Sequence, residues 1–173
     1  MESPKDDRRG HTHPGNAELR EAFPTLVAEW QDYWRQQPWH RDSPGDGPDA
    51  VLEVLRAILD TAMAEQGGRQ VHARLLRAAM AHGQQRREQG ASDELLLGEY
   101  HALRTALWRH LLRSGSVPDG LTTIFRVDVV MTAASGLALR GFMHLSVPPD
   151  FPWERELARA MLDVSRGLET ALG

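Results

Sequence analysis

The chain has 173 residues, a net charge of −4 and no cysteine. That length suits one domain with its own hydrophobic core, and the acidic balance leaves no basic footprint for nucleic acid. The missing cysteine excludes disulfides, thiolate metal sites and cysteine nucleophiles, in keeping with a cytoplasmic protein.

No apolar run approaches the ~20 residues that span a bilayer, so no membrane partner is expected. Residues 1–16 are polar and charged, without the apolar stretch of a signal peptide, and read as a disordered leader. His11 and His13 within it read as solvated. A single helical domain is expected over 17–173. Asn16 can cap a first helix with apolar positions Leu19, Phe23, Leu26, Val27, Trp30, Tyr33 and Trp34. Pro24 predicts a kink or a split-off first turn, and Pro38 ends the helix. Residues 38–48 read as a loop containing Trp39 and His40.

Pro48 suits the first turn of a second helix, striped by Val51, Leu52, Leu55, Ile58, Leu59, Ala62 and Met63 and ended by Gly67-Gly68. A third helix is predicted from about Arg69 to Gln89, with Val71, Leu75, Ala78, Ala79 and His82 on one side and Gly90 just past its end. Ser92 caps the fourth, with Asp93 and Glu94 in the first turn where the helix dipole favours them. Its stripe is Leu96, Tyr100, Leu103, Leu107 and Leu111, and Gly115 ends it. The fifth helix, about 119–144, carries only Arg126, Asp128 and Arg140 as charges between Leu121 and Met143, which predicts a central or interfacial position. Pro148, Pro149 and Pro152 break the chain before a last helix carrying Trp153, Leu157, Met161, Val164 and Leu168. No alternating strand is found, so the fold class is an all-α bundle of about six helices.

Polar residues interrupt the apolar faces around the Gly90 turn. Glu99 lies on the core stripe of helix four, and His82 and Arg86 continue that of helix three. A short helix–turn–helix brings these faces together, so Arg86 and Glu99 are expected to pair across it. Arg104 is four residues from both Tyr100 and Trp108 and is expected against one of those rings. Asp128 is a candidate buried acid, with Arg104 or Arg86 as its partner. The simpler reading is a polar clasp that sets how the helices cross. The functional reading is a ligand or signal pocket.

Reaction chemistry has little foothold. No H-x-x-x-H or E-x-x-H pattern occurs, nor a G-x-S-x-G, nor a glycine-rich phosphate loop. A haem would need a proximal histidine in an apolar pocket, and none of His72, His82, His101 and His110 is flanked by phenylalanine. His101-Ala-Leu-Arg-Thr-Ala-Leu is similar to a histidine-kinase phosphoacceptor box without its acidic residue and proline, and a solvated His101 is the simpler reading.

The pattern His82-x-x-x-Arg86-x-x-x-Gly90, followed after eight residues by Glu99-Tyr100-x-x-Leu103-Arg104, resembles the N-terminal sensor domain of the RsbRD type, found in stressosome RsbR-like proteins and some bacterial sensor histidine kinases. The resemblance is best over about 70–112 and extends over roughly 17–172. It implies a globin-like helical fold without haem or other cofactor, a homodimer and a non-enzymatic, signal-receiving role. Trp30, Trp34, Trp108 and Trp153 would then anchor the core or the dimer surface. The chain departs from such proteins by stopping after the last helix, with no room for a STAS sheet or kinase core. The expectation is a signal passed to a separate partner of kinase, STAS or anti-sigma type. A haem-binding globin-type sensor and a phosphotransfer protein using His101 are the alternatives.

Overall fold

The computed structural model describes residues 21–38, 48–64, 68–114 and 120–172. The 1–16 leader, Asn16, Leu19, Trp39, His40, Gly67 and Gly115 lie outside them. Six helices and no strand are found among the described residues: α1 Phe23–Arg35, α2 Pro48–Met63, α3 Arg69–Glu88, α4 Asp93–Ser114, α5 Gly120–Phe142 and α6 Trp153–Leu172. Of the two expectations for Pro24 the split holds and the kink does not: Ala22 separates helical Glu21 from α1, and Pro24 sits in the first turn of α1, which has no use for the missing N–H.

The apolar stripes meet in one core. Leu26 comes from α1, Leu55 and Ile58 from α2, Leu75 from α3, Leu96 and Leu107 from α4, and Val127, Val130 and Met131 from α5. Each such side chain contributes about 1.5–3 kcal/mol on burial. Trp30 and Trp34 stack in this core with ring centroids 6.3 Å apart, and Trp153 is buried as well. Trp108 is not a core anchor: it stays 39 % exposed.

α5 is the central helix, packing against α2, α3, α4 and α6. By length and mean hydropathy (1.3), Leu121–Phe142 would also suffice to cross a membrane. The sequence reading missed this because it sought an unbroken apolar run, whereas Ile, Val, Leu and Ala between the charges hold the mean up; with 44 % of its apolar window buried it serves here as a core helix.

The most intimate pairing is α3 with α5, and two glycines make it so. A Cβ on Gly83 would collide with the Ala138 carbonyl, and one on Gly141 with the Met80 carbonyl. Each glycine thus seats the backbone of the other helix. Arg87 of α3 adds a cap: its Nη1 donates to the Phe142 carbonyl at 2.9 Å, satisfying an orphan acceptor at the end of α5.

Both hairpin-side helix ends carry the same closure. At α3, Ala91 N donates to Arg86 O and Gly90 N to Arg87 O, both at 2.9 Å, with Gly90 at φ 80°. At α5, Leu145 N donates to Arg140 O and His144 N to Gly141 O, with His144 itself at φ 55°. These are paired Schellman closures. Ser92 then caps α4, its Oγ accepting from Leu95 N at 3.2 Å.

Gly83→Ala should therefore destabilise the fold by about 1–3 kcal/mol, since a rigid backbone must retreat. Urea unfolding followed by circular dichroism measures this; an unchanged midpoint would show that the crossing is looser than described.

Candidate functional site

The closure at Gly90 turns the chain so that the end of α3 faces the start of α4. On α3, His82 and Arg86 are four residues apart and share a face. On α4, Glu99 and Tyr100 follow the Ser92 cap by two turns. All four are buried, with 2–4 % exposure.

Glu99 is the hub. Its Oε2 accepts from Arg86 Nε at 2.9 Å and lies 3.1 Å from His82 Nε2; its Oε1 is 2.6 Å from Arg86 Nη2. The expected Arg86–Glu99 pair is thus present as a fork, the guanidinium geometry that suits a carboxylate. Arg86 Nη1 donates to Gln89 Oε1 at 2.7 Å, on the edge of the cluster. A carboxylate only accepts, so His82 Nε2 presents its hydrogen to Glu99. On the other side of the ring, Nδ1 lies 3.4 Å from the Tyr100 hydroxyl. The Arg86–Glu99 pair carries no net charge of its own, which is the condition for keeping ions out of water.

Burial first, and the Glu99 charge second, hold the Tyr100 phenol far above its ordinary value of 10.0. A Tyr–His–Glu chain can move a proton in principle. Here every member is buried, and neither the cleft at Pro148–Arg155 nor the one between α5 and α6 is lined by any of them. What the arrangement does is lock the register of α3 against α4. Leu103 lies in the core beneath it, and Gly90 is in the exposed turn.

Two sequence expectations need correction. Arg104 lies on neither aromatic ring. Its Nε is 2.8 Å from Asp128 Oδ1, and its Nη2 donates to Thr132 Oγ1 at 2.9 Å. Asp128 is not a buried acid either: its side chain is 34 % exposed. A long arginine on the flank of α4 reaches the neighbouring helix before it can fold back on its own. The Arg104–Asp128 link therefore fastens α4 to α5 on the outer face, apart from the buried cluster.

The remaining histidines are scattered. His72 is buried 5.8 Å from the Trp153 ring, His101 is exposed on α4, and His110 lies 3.8 Å from Glu29, which itself pairs with Arg113 at 2.7 Å. Among the described residues, no three His, Asp or Glu side chains gather as a metal site. The sequence reading also passed over Gln89 and Gly83. Gln89 was visible three residues after Arg86. Gly83 was visible as a mid-helix glycine, which is unfavourable unless packing requires it.

The sequence model of the RsbT co-antagonist protein rsbRD N-terminal domain matches residues 19–146. That span contains the whole buried cluster and both residues of the outer Arg–Asp link. No curated protein and no solved structure matches the chain.

Arg86→Met and Glu99→Leu should each cost about 3–5 kcal/mol, because each strands a buried charge. The double variant should cost clearly less than their sum, and strict additivity in a double-mutant cycle would refute the pairing. The raised Tyr100 pKa sets a separate alkaline signature. Its stabilisation is complete below pH 10 and is lost above it, where unfolded tyrosine ionises and the buried phenol does not. Unfolding measured from about pH 9 to 11 should show a Tyr100 contribution of at most about 1.4 kcal/mol per pH unit. Tyr100→Phe should remove it.

Proposed function

The chain belongs to the RsbRD N-terminal domain family of regulatory, sensor-type signalling domains, and from that premise we propose that it works as a non-enzymatic homodimer that passes its state to a partner of kinase, STAS or anti-sigma type. The setting is bacterial and cytoplasmic, in stress-response or two-component signalling.

One observation carries the dimer. Trp108 and Leu112 on α4 and Leu121 and Phe125 on α5 are 39, 67, 52 and 45 % exposed. They are neighbours. Arg104 meets Asp128 where α4 and α5 run antiparallel. One turn from that link toward the α4–α5 connection come Trp108 and Phe125, and one turn further Leu112 and Leu121. Four large apolar side chains spread over two adjacent helices mark an interaction surface. Two copies joined about a twofold axis would cover both patches with a four-helix contact.

The buried cluster supports the signalling part of this reading. It makes α3–α4 a stiff unit, so a change at the α4–α5 face moves helices rather than bending them. Small helix shifts at an interface are an established route for switching.

Sedimentation or light scattering at micromolar concentration should give a dimer. Leu121→Glu combined with Phe125→Glu should give a monomer of unchanged helical content, since both positions face solvent in the single chain. A monomeric wild type would refute the interface, as would a double variant that stays dimeric.

A further inference from the structure

α6 returns alongside α5, and the two helices part to leave a cleft of about 550 Å³. Sites for small ligands fall in the range of roughly 300–1,000 Å³. Side-chain size explains the gap. Ala133 and Gly136 on α5 and Ala160 on α6 stand where bulky residues would otherwise interdigitate. A Cβ built on Gly136 meets no atom within 4 Å, so the floor is open there.

The two ends of the cleft differ in charge. At one end Asp128 is neutralised by Arg104 at 2.8 Å. At the other end, about 18 Å along α5 by helical rise, stands Arg140. Its Nη2 donates to the Ser146 carbonyl at 2.6 Å and its guanidinium lies 5.1 Å from the Phe151 ring centroid. Its Nε is buried without a hydrogen-bond partner. Glu156 on α6 also lines the cleft, but among the described residues no carboxylate is in ion-pair contact with Arg140. A half-buried arginine with donors to spare, at the head of an apolar trough, complements an anion with an aliphatic body.

We propose that this cleft is the ligand site of the domain and takes aliphatic monocarboxylates, with the carboxylate on Arg140 and the chain lying over Gly136. This rests on the sensor reading for its purpose, and on the cleft alone for its chemistry. The cleft adjoins the exposed α5 stripe, so an occupant would bear on the proposed dimer face.

Isothermal titration calorimetry on the full chain, with octanoate and octanol as probes, tests the proposal. Octanoate should bind one per chain, about tenfold more tightly than octanol, and should change the fluorescence of Trp153 in the cleft wall. Arg140→Gln should weaken octanoate about tenfold and leave octanol unchanged. Gly136→Leu, which the open space accommodates without disturbing the fold, should abolish binding of both. Equal affinity for the two probes, no binding of octanoate, or full binding by Gly136→Leu would overturn the assignment. If octanoate does not bind and Gly136→Leu dissociates a dimer, a second copy fills the cleft: the ligand proposal fails, and the dimer contact lies at or extends to this face. Octanoate binding by a strictly monomeric protein upholds the cleft and removes the dimer.

Discussion

The rest of this bundle hangs on the close approach of α3 and α5. Gly83 lies against the Ala138 carbonyl and Gly141 against the Met80 carbonyl, so the backbones touch without side chains between them. That contact sets the rotation of α3. With Gly83 turned to α5, successive residues 100° apart place His82 and Arg86 toward α4. The same approach brings Arg87 to the Phe142 carbonyl. The buried cluster is thus a consequence of the crossing: no other rotation of α3 would point His82 and Arg86 at Glu99.

Burying an ion pair is poor economy for stability alone, since an apolar replacement of similar shape is often as good or better. Its effect here is selectivity. A forked guanidinium and a histidine set between the carboxylate and a phenol favour one alignment of the two helices. An apolar seam would tolerate slippage.

The outer face has the opposite character. There Arg104 and Asp128 are one third exposed, and Trp108, Phe125, Leu112 and Leu121 face solvent. Exposed ion pairs contribute about 0–1 kcal/mol, so α4 and α5 are fastened only lightly on that side. The cleft between α5 and α6, with its small residues and its free arginine donors, lies next along the surface. The buried polar contacts are concentrated at the α3–α4 turn, and the exposed apolar residues and the cleft lie along α5.

Much of this was legible from residue order. Helical periodicity, Gly90, Ser92 and the prolines marked the helices, because capping and turn chemistry act within a few residues of chain. The Arg86–Glu99 pair could be foreseen for the same reason: a short hairpin fixes which residues face each other. Arg104 was one of two partners the sequence offered Asp128, and the two do meet; the exposure of the pair, and the distance of Arg104 from the rings, depended on how α4 lies beside α5, a relation between segments 24 residues apart. What Gly83, Gly141 and Gly136 each do was open for a related reason. A glycine in a helix announces that something is close or missing, but whether a neighbouring backbone fills the space or leaves it open is settled only when distant helices pack. Local spacing was enough to specify the helices and the clasp between two of them; the crossing, the exposed face and the cavity arose from packing, which no stretch of chain encodes alone.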